Sequence, residues 1–230
     1  MCDKPTSIDF STIIASCVHD MKNSLSMVLG SLDDLMMRME TAESGDQKQL
    51  AKLRYEAKRV NSNLVEMLML YRLGQGGYPL NLTEQRLGDY LQEVALEHAV
   101  QLAAEKIDLQ ITCDDSLIWF FDRDLIFSVI NNVINNTIRY TQERIVLQVE
   151  QQQDWLVVSI EDDGDGYPET MLGESYDQLG ELTPGHSGTG LGLFFAAQVA
   201  KVHLNQDRAG YIRLSNDSTL GGGRFELHLP

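Results

Sequence analysis

The strongest constraint on the fold is a repeat of apolar residues in the N-terminal third of the chain. Apolar residues follow each other in alternating steps of four and three from Ile14 to Met39, and the alternation resumes from Leu50 to Tyr71. A seam of this period is typical of helices that pack in bundles. The polar stretch from Thr41 to Asp46 separates the two runs. The pattern predicts a two-helix hairpin, and because a hairpin buries its seams poorly alone, it predicts a homodimer with a four-helix bundle.

A glycine- and proline-containing stretch, Gly74 to Pro79, ends the second predicted helix and indicates a hinge. We therefore expect two domains, residues 1–74 and 79–230. In the second, strand and helix patterns do not alternate strictly, which favours an α/β sandwich with a mixed sheet and helices on one face, so the fold class is α+β. The predicted elements are an extended piece at 80–82, helices at 87–106, 122–140 and 189–204, a strand at 109–112, and hairpins of 145–150 with 155–161 and of 211–214 with 224–229.

Composition excludes several classes of protein. The formal net charge of -16 argues against a nucleic-acid partner, because such proteins neutralise phosphates with clustered Lys and Arg. The three cysteines have no metal-ligand spacing, so we expect neither a disulfide framework nor a zinc site. No apolar run approaches the ~18 residues that cross a bilayer, and the polar N-terminus is unlike a signal peptide. The expectation is a cytoplasmic protein without membrane insertion.

Two glycine-rich segments indicate a nucleotide pocket. The first, Asp162 to Gly166, follows an apolar strand pattern, and the second, Gly188 to Leu193, opens an apolar helix pattern. Glycine allows close approach of the backbone to a ligand, and a helix N-terminus offers N–H donors to phosphate. The carboxylate of Asp162 can accept a hydrogen bond from an adenine amino group. Taken alone, however, Asp162 could be a turn residue and the second segment a flexible loop.

Two further patterns carry chemistry. Asn132 and Asn136 lie one helical turn apart, so both side-chain oxygens can face one Mg²⁺ ion, although such a pair can also simply face solvent. His19 flanks the first seam, where its imidazole could reach ATP. A neutral imidazole has one ring nitrogen free to attack phosphorus, and Asp20 could accept the proton of the other. A histidine in this position is otherwise an ordinary surface residue.

Four segments resemble the motifs of the sensor histidine kinases, in that family's order. His19 to Asn23 is similar to the phosphoacceptor motif, Asn132 to Tyr140 to the asparagine motif, and the two glycine-rich segments to the glycine motifs. The resemblance covers nearly the whole chain. It implies a dimerisation and histidine-phosphotransfer hairpin joined to a Bergerat-type ATP-binding domain. ATP and Mg²⁺ are the expected cofactors, and a response regulator receiver domain is the expected partner.

The resemblance also assigns roles to residues. It implies that Asn136 binds Mg²⁺ and that Asn132 and Arg139 lie beside the phosphates. Asp20 and Asn23, three residues apart, match members that also dephosphorylate their regulator. The expected catalytic residues are His19, Asp20 and Asn23, and the expected nucleotide-binding residues are Asn132, Asn136, Arg139, Tyr140, Asp162, Gly164, Gly166, Gly188, Thr189, Gly190, Leu191 and Gly192.

The sequence departs from the family pattern at several points. Ser24 stands where many members have a proline, and Asp163 stands in place of a frequent asparagine. No clear phenylalanine motif occurs between Pro168 and Gly188, so we expect a short lid. The sequence given shows no sensor, transmembrane or receiver segment, so the signal is expected from a separate sensor protein or from further parts of a longer chain.

The sequence therefore predicts an ATP-dependent protein-histidine kinase of a two-component system. It would phosphorylate His19, transfer the phosphoryl group to an aspartate of a response regulator, and also dephosphorylate that regulator. The alternatives are a non-catalytic histidine phosphotransfer adaptor, against which the glycine and asparagine motifs argue, and an ATP-gated interaction module.

Overall fold

The chain forms two compact units, residues Met1–Tyr78 and Pro79–Pro230. A computed structural model describes residues 21–33, 35, 44–74, 78–172 and 191–230.

The first unit contains two helices, α1 (21–33) and α2 (Ser44–Gly74). An ion pair joins them, with 2.6 Å between Nε of Arg54 and Oδ1 of Asp33, and Leu32 and Ala57 are buried. Helix α2 begins at Ser44, within the polar stretch that separates the two apolar runs. The hairpin and its dimer stay predictions.

Although α2 has 31 residues, none of the helices in the described ranges is apolar enough over a sufficient length to cross a membrane.

The second unit is built around a five-stranded mixed sheet in the order β2-β4-β5-β9-β8. Strands β2 and β4 run parallel, and the other neighbours run antiparallel. Strands β1 and β3 form a separate antiparallel pair, as do β6 and β7. The elements are β1 (Leu82–Arg86), α3 (Leu87–Glu105), β2 (Asp108–Cys113), β3 (Ile118–Asp122), α4 (Arg123–Thr137), β4 (Arg144–Gln152), β5 (Trp155–Asp162), a 3₁₀ turn (Glu169–Met171), α5 (Leu191–Val202), β6 (Leu204–Asn205), β7 (Arg208–Ala209), β8 (Tyr211–Ser215) and β9 (Arg224–Leu229).

One face of the sheet is apolar and packs against the helices. Leu147, Ile160 and Phe225 lie side by side across β4, β5 and β9, and all three are buried. Helices α3, α4 and α5 contact β2, β5 and the β8–β9 pair, respectively. Alternate residues point to opposite faces of a strand, so the apolar core lies between this face and the three helices.

The other face carries a buried polar network. Glu161 is 1% exposed; its Oε1 accepts a hydrogen bond from Arg224 at 2.8 Å, and its Oε2 accepts from Thr219 N–H and hydroxyl at 2.7 and 2.8 Å. Arg224 also pairs with Glu226. These contacts satisfy the buried Glu161 carboxylate and tie the loop between β8 and β9 to the end of β5.

The mixed sheet, the hairpin of β4 with β5 and the hairpin of β8 with β9 confirm the sequence predictions. The extended piece was expected at 80–82, but strand β1 begins at Leu82 and continues to Arg86. Its partner, β3, was not predicted. Helix α4 ends at Thr137 rather than Tyr140. The difference arises because Arg139 and Tyr140 donate to carbonyls only three residues earlier, so the backbone tightens there into turns.

Candidate nucleotide-binding site

The two predicted asparagines lie one turn apart on the side of α4 that faces away from the core. The carboxylate of Asp122 caps this helix by accepting the N–H of Leu125 at 3.2 Å. Nδ2 of Asn136 donates to Oδ1 of Asn132 over 2.8 Å. The bond orients both amides. Because Asn136 donates through Nδ2, its Oδ1 is the atom that could coordinate a hard cation such as Mg²⁺.

The turn after α4 places two further predicted residues at the surface. Arg139 and Tyr140 are exposed, and the guanidinium carbon of Arg139 lies 5.9 Å from the centre of the Tyr140 ring. Contact with the ring face favours this position of the cation. Arg139 follows Asn136 by three residues, and its backbone N–H donates to the Asn136 carbonyl at 3.1 Å.

Asp162 lies at the end of β5 and is 7% exposed. Its Oδ1 accepts hydrogen bonds from the N–H groups of Gly164 at 2.8 Å and Gly223 at 3.2 Å. Burial raises the pKa of the Asp162 carboxyl above its usual range, the two N–H donors oppose this shift, and the charge of Asp163 adds to it. Both bonds use Oδ1, so Oδ2 is the acceptor that a ligand amino group could reach.

The first glycine segment touches the asparagine segment directly. A Cβ on Gly164 would lie 2.3 Å from the backbone oxygen of Tyr140, so a side chain cannot be accommodated there. Gly166 has a φ of +78°, a conformation that side chains disfavour. Glycine is therefore required at both positions, at Gly164 for close approach and at Gly166 for backbone conformation.

The second glycine segment reaches the same helix through Gly192. A Cβ on this residue would lie 2.4 Å from Oδ1 of Asn132. The structure thus brings Gly192 on α5 against the asparagine pair on α4. Leu191 precedes it in α5. The other predicted residues of this segment, Gly188, Thr189 and Gly190, lie outside the described residues.

The loop between β8 and β9 holds the first glycine segment, a role that the sequence did not predict. Gly222 N–H and the Ser218 hydroxyl both donate to the carbonyl of Asp162, at 3.1 and 2.9 Å. A Cβ on Gly222 would lie 2.4 Å from that same carbonyl oxygen. The run Gly221–Gly223 lies in the loop of the hairpin predicted for 211–214 with 224–229. Three consecutive glycines beside a strand could have suggested a close approach of backbones.

Asn216 fixes the far end of the same segment. Its Oδ1 accepts the N–H of Tyr167 at 2.7 Å, and its Nδ2 donates to the Tyr167 carbonyl at 2.9 Å. The Asn216 side chain thus binds both backbone groups of Tyr167 and holds the backbone in place at that residue. A single asparagine in a loop gives no sequence signal for such a partner distant in the chain.

The predicted histidine site lies mainly outside the described residues. His19 and Asp20 are among the residues not described, so the structure neither places them nor relates them to ATP. Asn23 lies on α1 and is exposed.

Comparison with protein families agrees with this geometry. Residues 121–230 match the model of the histidine kinase-, DNA gyrase B- and HSP90-like ATPases. Among curated proteins, the sensor protein SrrB of Staphylococcus aureus strain N315 is 25% identical over 198 residues, which cover 83% of this chain and 34% of SrrB. The chain therefore spans about a third of the length of this relative.

Solved structures show the same fold. The catalytic domain of histidine kinase ThkA has a TM-score of 0.55 at 24% identity, over 65% of this chain and 97% of that one. Full-length ShkA in complex with AMPPNP has a TM-score of 0.66 at 18% identity, over 95% of this chain and 45% of that one. The Acinetobacter baumannii histidine kinase AdeS has a TM-score of 0.56 at 19% identity, over 92% and 96%.

The similarity to SrrB extends beyond the asparagine and glycine segments to 83% of the chain. Residues 121–230 form an ATPase domain of the histidine kinase, DNA gyrase B and HSP90 type, and the chain is homologous to the sensor histidine kinases.

Proposed function

We propose that this chain is an ATP-dependent protein-histidine kinase that phosphorylates His19 and passes the phosphoryl group to an aspartate of a response regulator. One observation carries the proposal. Both glycine segments approach the asparagine segment too closely for a side chain, through Gly164 at Tyr140 and Gly192 at Asn132. The contacts bring the residues that we propose to bind the base, the metal and the phosphates into one site.

The residues at this site suit different parts of ATP. Oδ2 of Asp162 would accept a hydrogen bond from the adenine amino group. Oδ1 of Asn136 would bind Mg²⁺, which neutralises charge on the phosphates during transfer. Asn132 and Arg139 would donate hydrogen bonds to phosphate oxygens, and the backbone N–H groups of residues 188–192 would surround them.

In the transfer step, a ring nitrogen of neutral His19 forms a bond to the γ-phosphorus. The bond from that phosphorus to the oxygen shared with the β-phosphate breaks, and ADP leaves with the electron pair. The second ring nitrogen loses its proton to Asp20, which keeps the phosphorylated imidazole uncharged. In the second reaction, a carboxylate oxygen of the regulator attacks the same phosphorus and the bond from phosphorus to the His19 nitrogen breaks. The other ring nitrogen takes back the proton from Asp20, so His19 leaves as neutral imidazole.

The proposed homodimer is supported by the exposure of apolar residues in the first unit. Met21, Val28 and Leu35 on the first helical stretch repeat at intervals of seven and are 55%, 49% and 47% exposed. The same spacing recurs on α2, where Leu53, Val60 and Met67 are 55%, 46% and 48% exposed. One heptad position of each helix is thus uncovered in a single chain, which a second copy would bury.

We further propose that the chain dephosphorylates its regulator, with Asn23 holding the attacking water. Asn23 is exposed on α1 and lies four residues after His19 in the sequence. Replacing Asn23 with Ala should spare phosphorylation of His19 and slow the loss of label from the regulator at least tenfold, equivalent to ~1.4 kcal/mol in barrier. Equal rates with wild type and variant would contradict this role.

The kinase proposal is tested by incubating the full chain with γ-labelled ATP and Mg²⁺. A kinase acquires label that is stable to base and labile to acid, and His19→Ala acquires none. A phosphotransfer adaptor would acquire no label from ATP but would accept it from a phosphorylated regulator. An ATP-gated module would bind ATP without becoming labelled.

A further inference from the structure

We propose that Asp163 is a positioning residue that sets the spacing between the two sides of the nucleotide site. One side is the asparagine segment, Asn132 to Tyr140, and the other is the base-binding side, the first glycine segment from Asp162 to Gly166. The proposal rests on the proposed function, since it concerns how this site is assembled. Asp163 stands in the first glycine segment, between Asp162 and Gly164. Its side chain does not turn toward the Asp162 carboxylate but reaches across to the segment that follows α4.

The Asp163 carboxylate binds three consecutive backbone N–H groups. Oδ1 accepts from Gln142 at 2.8 Å and from Glu143 at 3.2 Å, while Oδ2 accepts from Glu143 at 3.0 Å and from Arg144 at 3.1 Å. These three residues connect the end of the asparagine segment, at Tyr140, to the start of β4. Three N–H groups that converge on one carboxylate fix the path of that connection.

The connection matters because it joins the asparagine segment to β4, the strand that pairs with β5 at Asp162. Ile145, which follows Arg144, pairs with Asp162 across β4 and β5. Just before the connection, the carbonyl of Tyr140 lies against Gly164. The Asp163 carboxylate therefore holds the asparagine segment at a fixed distance from the base-binding side of the pocket.

A carboxylate suits this position better than an amide does. Both oxygens of Asp163 accept hydrogen bonds, and each faces two N–H donors. An asparagine would turn an NH₂ group toward one pair of these donors. Glu143 could still donate to the remaining oxygen, but either Gln142 or Arg144 would lose its acceptor. Burial raises the pKa of the Asp163 carboxyl, but the three N–H groups outweigh it and hold the pKa below its usual range. The residue is therefore ionised at neutral pH.

The test compares two ligands in three forms of the full chain: wild type, Asp163→Asn, and the control Asp207→Asn, an exposed aspartate of the second unit outside the glycine and asparagine segments. Mg²⁺-ATP contacts both sides of the site, whereas adenosine contacts only the base side. We expect Asp163→Asn to bind Mg²⁺-ATP about tenfold more weakly, the effect of losing about one charged hydrogen bond. Adenosine affinity should change by less than about twofold in Asp163→Asn, and Asp207→Asn should match wild type for both ligands.

The outcomes separate the possible failures. Equal weakening of ATP and adenosine binding in Asp163→Asn would mean that Asp163 acts only on folding and would overturn the positioning role. If wild type binds ATP and Asp163→Asn binds it with the same affinity, the positioning role is overturned as well. A wild type that binds no ATP would overturn the proposed function and this proposal together. If Asp163→Asn does not fold, Asp163→Glu allows the same comparison, because it keeps the charge and displaces the oxygens.

Discussion

Asp162 combines two roles that place opposite demands on one carboxyl group. Oδ1 organises the glycine segment through two N–H donors, while Oδ2 is proposed to bind the base. Burial raises the pKa of Asp162, so its ionised form is less favourable in the folded chain than in the unfolded one. The proposed role of Asp162 in ligand binding therefore has a cost in folding stability.

Asp162→Asn should separate these roles. The amide oxygen can still accept from Gly164 and Gly223, and the buried charge is removed, so thermal stability at neutral pH should equal or exceed that of wild type. Binding of ATP should weaken by ~1.5–3 kcal/mol, the range for a hydrogen bond to a charged group. Titration calorimetry and thermal denaturation check the two effects. Undiminished ATP affinity would show that Asp162 does not bind the base.

His203 predicts a dependence of stability on pH. Its Nε2 accepts the N–H of Asp122 at 3.1 Å, and its Nδ1 donates to the Val199 carbonyl at 2.7 Å. A second proton on Nε2 would meet an N–H group, so the folded state requires the neutral ring. Burial lowers the pKa of His203, although the bond to Val199 and the charge of Asp122 oppose that shift.

Below the usual histidine pKa of about 6.5, the unfolded chain therefore binds a proton that the folded chain does not, and the free energy of unfolding falls. Between about pH 7 and pH 5, wild type should lose more stability than His203→Gln, whose amide keeps one acceptor and one donor. Urea denaturation of the full chain across this range gives the comparison. Parallel pH profiles of the two proteins would contradict the assignment.

The sequence indicated the residue types proposed to face the ligand but not the residues that hold them. Asparagine, aspartate and glycine at fixed spacing have chemistry that can be interpreted locally. By contrast, Asn216 and Asp163 act on segments distant in the chain, through pairing of β8 with β9 and of β4 with β5. Those contacts depend on the tertiary arrangement, which no local pattern contains.

At the level of elements, the contact of α5 with α4 couples the second glycine segment to the asparagine pair. A Cβ at residue 192 would displace the side chain of Asn132 and so disturb its bond from Asn136. Gly192→Ala should therefore weaken Mg²⁺-ATP binding at least about fivefold, or ~1 kcal/mol. The fold should persist, because the obstacle is a side chain that can move and Ala favours helix over Gly by ~0.5–1 kcal/mol.

Two other glycines serve as controls for this prediction. Gly164→Ala would meet a backbone oxygen and should destabilise the domain, whereas Gly30→Ala on α1 has open space and should change neither folding of the second unit nor ATP binding. Calorimetric titration and thermal denaturation distinguish the three variants. Wild-type affinity in Gly192→Ala would show that the α4–α5 contact does not position the asparagines.

Elements with local partners were the predictable ones. The hairpin of β4 with β5 is joined by a short polar turn, so alternation and turn residues were sufficient. The pair of β1 with β3 and the parallel pair of β2 with β4 join distant segments, and β6 and β7 have two residues each. Such pairs have too little local pattern to be predicted from the sequence.

For the whole molecule, the exposed heptad residues predict that the chain is a dimer through its first unit. Val60→Glu would place an unpaired carboxylate in the proposed interface and should yield monomers. Lys58→Glu, an exposed change on the same helix, should leave the dimer intact. Light scattering at micromolar concentration measures both. A monomeric wild type would contradict the four-helix model.

The most direct test of the whole account is to locate the phosphoryl group by mass spectrometry after the chain is incubated with ATP and Mg²⁺ and digested at neutral or basic pH. We predict phosphorylation on the peptide that contains His19, at the imidazole, dependent on Mg²⁺ and absent from Asn136→Ala. A wild-type chain that binds Mg²⁺-ATP yet has an unmodified His19, or carries the phosphoryl group only on another residue, would contradict the account.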